Sequence, residues 1–241
     1  MPLPRPTLVI LDMDGTTVRH LNPYVLHALE LADDALFRAR TYMTCLGQKL
    51  GMGTRLRTRR STRRPRLLVH RTLHKLRRKS VDQIVAPCPG VIDLFELFAA
   101  HLIPMGLISN GLGRGYGYDI LEKFDLAKFF TATVFREDTR RAKPDPEPIL
   151  EILKRMGIPL TSNDVIWYIG DRAKDIAVAL SSGPLVTAKI VPIGYGLHAA
   201  PMLLQNHFNT DHLVLSYEDW YETVEGILEK EKNPLRQEGI F

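Results

Sequence analysis

The stretch TLVILD (residues 7–12) sets four consecutive apolar residues before a carboxylate. A continuous apolar run of this length fits a strand buried on both faces. Comparable runs recur as IPMGLIS (103–109), ATVF (132–135), DVIWYIGD (164–171) and KIVPIGY (189–195). Between them the period lengthens to that of a helix. GVIDLFELFAAH (90–101) sets Ile92, Phe95, Leu97 and Phe98 near one face. DPEPILEILKRMG (145–157) opens with prolines and acids and closes on Gly157, which are start and stop signals. EDWYETVEGILEKE (218–231) is the last helical segment. Strands alternating with helices predict an α/β fold: a Rossmann-like parallel sheet with helices on both faces.

One long interval breaks the alternation. Asn22 and Pro23 mark a helix start, and Leu26, Leu29, Leu36, Ala39 and Met43 follow at helical spacing. Residues 66–79 predict a second, basic amphipathic helix with Leu68, Leu73 and Leu76 on one side. We read 1–18 and 89–241 as the core, and 19–88 as an inserted helical cap that returns through the hinge APCPG (86–90). The tail KNPLRQEGIF (232–241) reads as poorly ordered.

The formal net charge of +5 conceals a sharp division. Residues 35–81 hold 15 Lys or Arg and no acid, leaving 17 basic and 27 acidic residues elsewhere, a net −10. The basic segment 54–80 pairs like charges at Arg59/Arg63 and Arg60/Arg64, a spacing that disfavours a helix without an anion. Three readings stay open: a cap closing on a phosphate-rich substrate, a contact for nucleic acid or an anionic membrane, or a solvated loop. Aromatic residues for stacking single-stranded bases are scarce there. His70 and His74 lie four apart, but the surrounding cations argue against a metal. Cys45 and Cys88 do not make a disulfide framework and point to a reducing compartment. No apolar run approaches the roughly 20 residues of a membrane span, and the first residues lack the apolar core of a signal peptide. A cytoplasmic protein is expected.

The carboxylates carry the chemistry. Asp12 and Asp14 close the first strand, and Gly15 can turn both above the sheet edge, where open parallel sheets bind ligands. Two carboxylates at one mouth repel unless a cation intervenes, and Mg2+ suits oxygen ligands and a phosphate. A calcium loop would need Glu at its twelfth position, where Pro23 stands. Asp171 closes another strand, with Asp175 one turn later; alone the pair would serve as helix cap and first-turn acid. Ser109-Asn110 ends a third strand and Lys143 precedes a proline, each with an ordinary reading as a cap or a solvated loop lysine. The glycine-rich GLGRGYG (111–117) lacks the dinucleotide spacing and reads as a flexible loop near the phosphate.

Taken in order, Asp12-Met13-Asp14-Gly15-Thr16, Ser109-Asn110, Lys143-Pro144 and Gly170-Asp171 with Asp175 resemble the motifs of haloacid dehalogenase-like hydrolases, in the helical-cap, phosphoglycolate phosphatase-like branch. The resemblance covers 7–18 and 89 to about 228. It implies a Mg2+-dependent phosphatase acting on a phosphorylated, anionic small molecule through an aspartyl-phosphate. Asp12 would be the nucleophile and Asp14 the general acid and base. Thr16, Ser109, Asn110 and Lys143 would bind phosphate. The Asp12 carboxylate, the Asp14 main-chain carbonyl and Asp171, with Asp175 beside them, would hold the metal. Arg59, Arg60, Arg63 and Arg64 would meet substrate or another anion. The alternatives are a phosphomutase of the same family, or a nucleic-acid or anionic-membrane binder working through the basic cap. Oligomeric state is left open.

Overall fold

The computed structural model of the chain describes residues 3–21 and 81–230. The two helices expected in the cap, Arg59, Arg60, Arg63, Arg64, His70, His74, Cys45 and residues 231–241 fall outside those residues.

Eight strands are present among the described residues: β1 Leu8–Asp12, β2 Val18–His20, β3 Val85–Pro87, β4 Met105–Ile108, β5 Phe130–Val134, β6 Val165–Gly170, β7 Lys189–Tyr195 and β8 Leu213–Val214. Six form one sheet in the order β5-β4-β1-β6-β7-β8, and every pairing in it is parallel. This is the expected Rossmann-like core. β1 lies between β4 and β6, with Val9 opposite Met105 on one side and Trp167 on the other.

The helices are α1 Val91–Ala100, α2 Tyr118–Lys123, α3 Glu147–Met156, α4 Ala173–Ser182, α5 Ala200–Gln205 and α6 Tyr217–Glu229. The sheet's alternation divides the core between two faces. Val9, Leu11, Trp167 and Ile169 pack with α1 and α6. Leu8, Ile10, Ile166 and Tyr168 pack with α3 and α4. A fully buried aliphatic side chain contributes roughly 1.5–3 kcal/mol relative to exposure. That sum explains why β1 stays apolar until its last residue, where the sheet edge opens and Asp12 stands.

α3 starts at Pro146 and Pro148, ends on Gly157 with φ 64°, and buries Ile149, Ile152 and Met156. α1 buries Val91, Leu94, Phe95, Leu97 and Phe98, whereas Ile92 is exposed. A helix turns about 100° per residue. The buried set centres near Val91 and Phe98, and that rotates Ile92 off the face where the sequence reading put it.

Short strands flank the segment 22–80 that lies outside the described residues. β2 and β3 pair antiparallel, with His20 opposite Val85, and the Leu21 amide donates to the Ile84 carbonyl at 2.8 Å. Ala86 and Pro87, expected in a hinge, thus belong to a strand of this ribbon. Three-residue strands carry too little alternation to be seen in sequence.

Candidate active site

The four motifs converge at the carboxyl edge of the sheet. Asp12 is the last residue of β1, Ser109 follows β4, and Asp171 follows β6. Because β4, β1 and β6 are neighbours, three strand ends meet there. Lys143 arrives from the connection between β5 and α3.

Lys143 is only 4% exposed, so it is not a solvated loop lysine. Its Nζ donates to Asp12 Oδ1 and lies 2.6 Å from Asp175 Oδ1. Burial alone would pull the amine down, but the Asp12 and Asp175 carboxylates outweigh it and hold Lys143 well above the ordinary lysine value. Asp12, Asp171 and Asp175 each present an oxygen within 4.8 Å of the others. Arg172 Nε lies 3.5 Å from Asp171 Oδ2, so two cations face three carboxylates. Burial, then the Asp175 charge, push Asp12 up to about 8 against the pull of Lys143. The same two causes push Asp171 up to about 6.

The donor set fits a hard cation. Asp171 Oδ1 is buried without a hydrogen-bond partner, which is costly for a carboxylate oxygen unless a cation takes the lone pair. Asp175 is already engaged. Its Oδ2 accepts from the Arg172 amide at 3.1 Å and its Oδ1 from the Tyr168 hydroxyl at 3.4 Å. Asp175 is therefore the first-turn acid of α4 as well as a partner of Lys143. Gly15 makes the approach of the two strand ends feasible. Its φ is 89°, and a Cβ there would stand 2.2 Å from Asp171 Oδ2.

Asp14 has a different environment. Its Oδ2 accepts from Ser109 Oγ at 3.1 Å, and its Oδ1 from the Tyr116 hydroxyl at 2.6 Å. His20 Nε2 lies 3.3 Å from Oδ1 and 2.8 Å from the Tyr116 oxygen. Burial pushes the Asp14 carboxyl up, but the hydrogen bonds from His20, Tyr116 and Ser109 prevail and hold it below the usual aspartate value. Thr17 Oγ1 donates to the Asp12 carbonyl at 2.8 Å. Thr16 Oγ1 is buried without a hydrogen-bond partner.

Asn110 sits against Lys143. The Lys143 amide donates to Asn110 Oδ1 at 3.0 Å, and Asn110 Nδ2 donates to the Lys143 carbonyl at 3.3 Å. Both ends of its amide thus hold the lysine's main chain. Sequence reasoning missed His20 and Tyr116. The signal for Tyr116 was its place in GLGRGYG just behind Ser109-Asn110. His20 lies six residues beyond Asp14, and its spacing carries no signal of a contact.

Sheet order and strand-end carboxylates define a protein of the open, Rossmann-like α/β class with its site at the carboxyl edge. Residues 9–188 match the model of the haloacid dehalogenase-like hydrolases, and the chain belongs to that family. It is 32% identical over 95 residues to phosphoglycolate phosphatase of Escherichia coli K12, covering 39% of this chain and 36% of that protein. The matched segment thus spans about a third of the length of these curated relatives. Among solved structures, a HAD-superfamily hydrolase from Ehrlichia chaffeensis superposes with TM-score 0.58 at 19% identity, over 94% of this chain and 99% of that one. A phosphonoacetaldehyde hydrolase-like protein from Oleispira antarctica superposes with TM-score 0.60 at 16% identity, over 95% and 94%. At these identities the superpositions speak for the fold alone. No helix among the described residues is long and apolar enough to cross a membrane.

Proposed function

We propose that the chain is a Mg2+-dependent phosphatase that hydrolyses the phosphate monoester of a small anionic molecule. The carrying observation is the cluster of Asp12, Asp175 and half-buried Asp171 at one sheet edge, with buried Lys143 against the first two. The 95-residue likeness to phosphoglycolate phosphatases supports the same reading.

Asp12 Oδ attacks phosphorus in line. An Asp12 oxygen–phosphorus bond forms, the bond to the ester oxygen breaks, and that oxygen takes a proton from Asp14 to leave as an alcohol. In the second half Asp14 removes a proton from water, water oxygen bonds to phosphorus, and Asp12 leaves as a carboxylate with release of inorganic phosphate. The hydrogen bonds that favour ionised Asp14 suit the second half. For the first, the arriving phosphate dianion favours the protonated acid by like-charge repulsion. Lys143 offsets phosphoryl charge, Ser109 and Thr16 offer hydroxyls to it, and Asn110 acts through the Lys143 main chain. Mg2+ would be held by the Asp12 carboxylate, the Asp14 carbonyl and Asp171, with Asp175 beside them, and would supply charge neutralisation at the phosphoryl oxygens.

The test is phosphate release from a panel of phosphorylated metabolites, phosphoglycolate included, with and without EDTA. Release should require Mg2+, and Asp12→Asn should lower it by several orders of magnitude. Near wild-type release by Asp12→Asn, or full activity in EDTA, would sink the proposal. Transfer to product on adding a sugar bisphosphate would instead mark a phosphomutase.

A further inference from the structure

We infer that His20 and Tyr116 are positioning residues for Asp14: together they aim the carboxyl that exchanges protons with the leaving oxygen and with water. The inference rests on the phosphatase reading above and adds two residues to it.

The argument begins with what each residue is attached to. Asp14 stands on the turn after β1, followed by Gly15, and its side chain is 21% exposed. A carboxylate there has two free torsions and an open mouth beside it. Both of its oxygens are nevertheless taken: Oδ2 by Ser109, Oδ1 by Tyr116 and His20. The three partners come from separate parts of the fold. Ser109 ends β4. Tyr116 belongs to the glycine-rich loop that follows. His20 belongs to β2, in the ribbon at the root of the inserted segment.

The two inferred residues are themselves held. The Gly113 and Arg114 amides donate to the Glu137 carboxylate at 2.9–3.0 Å, which ties down the loop carrying Tyr116. Gly117, next in the chain, packs so closely on Phe135 that a Cβ would come within 2.2 Å of its ring. Tyr116 is 6% exposed. The His20 side chain is 8% exposed and its ring lies nearly parallel to that of Tyr116, 15° between planes. His20 is also paired with Val85 across the ribbon.

Such a frame matters for proton transfer. A general acid must come within about 2.6–3.2 Å of the atom it serves. A displacement of about 1 Å can cost on the order of a hundredfold in rate. Neither His20 nor Tyr116 needs to touch substrate for this, so their loss should appear in kcat far more than in KM.

The experiment is a double-mutant cycle between Tyr116→Phe and Asp14→Asn, with folding checked by far-UV circular dichroism and thermal melting. Para-nitrophenyl phosphate has a good leaving group that needs little protonation; beta-glycerophosphate has a poor one that needs it. Tyr116→Phe should lower kcat/KM on beta-glycerophosphate by roughly ten- to a hundredfold, and by at least several-fold less on the aryl ester. In the Asp14→Asn background it should cost almost nothing further. An equal fall on both esters, or a full loss persisting without Asp14, overturns the inference while wild-type turnover leaves the phosphatase reading standing. A wild type inert on both esters overturns both. His20→Asn read in the same cycle decides the matter if Tyr116→Phe fails to fold.

Discussion

At the scale of single residues, the site is an electrostatic imbalance held in place by its surroundings. Asp12 is raised from 3.8 to about 8 and Asp171 from 3.8 to about 6, each by burial first and by Asp175 next. A carboxyl raised in the folded state binds more protons there than in the unfolded chain. Its contribution to stability is therefore complete below the unfolded value and lost as pH rises through the folded one. In EDTA the melting temperature should fall between about pH 4 and about pH 8 on account of these two groups. A cation competes with the same protons, so the rise in melting temperature on adding Mg2+ should be larger near pH 8 than near pH 5. Asp171→Asn should raise stability in EDTA near pH 8, because a repelling charge is gone, and should blunt the Mg2+ effect. Differential scanning fluorimetry over that pH range checks all three signs. A Mg2+ shift that is the same at both pH values would remove the two carboxylates from the metal site.

At the scale of elements, close approach between strand ends and helix starts sets the geometry. A Cβ on Gly170, the last residue of β6, would lie 2.3 Å from Asp175 Cβ, a packed atom on the first turn of α4. Gly170→Ala should push that turn away, loosening the Asp175 contact with Lys143. Overpacking of this kind typically costs about 1–3 kcal/mol. We expect a lower melting temperature together with a larger proportional loss of turnover, measured on the same preparation. Unchanged turnover with lowered stability would mean that Lys143 keeps its place without Asp175. The elements legible in sequence were those with long, uniform burial: β1 is apolar up to Asp12, β6 carries no charge, and α3 has both its start and stop signals. β8 has two residues, and β2 and β3 three each, so no period exists to read. Asp12 and Asp171 were legible because each sits where an apolar run stops. His20 and Tyr116 were not, because their meeting depends on a ribbon and a loop that bring residues 96 positions apart into contact.

At the scale of the whole molecule, charge is divided between two parts of one chain. Residues 35–81 carry 15 basic groups and no acid, against a net −10 in the rest. The described part of the site does not reverse this, since Lys143 and Arg172 face three carboxylates. A doubly or triply anionic substrate is therefore repelled by the core at long range, and the attraction that brings it in must come from elsewhere. We propose the cations of 54–80, outside the described residues, as that source. Neutralising Arg59, Arg60, Arg63 and Arg64 together to Gln should raise KM for a multiply charged phosphate ester by several-fold. It should leave kcat, and turnover of para-nitrophenyl phosphate, nearly unchanged, because bond breaking needs only the strand-end residues. The difference should shrink as salt rises, since exposed charges are screened over about 8–10 Å at physiological ionic strength. If the wild type and the fourfold variant show the same KM at low salt, the segment does not recruit substrate. Measured retention on heparin and on anionic vesicles then separates a polyanion contact from a face that meets only solvent.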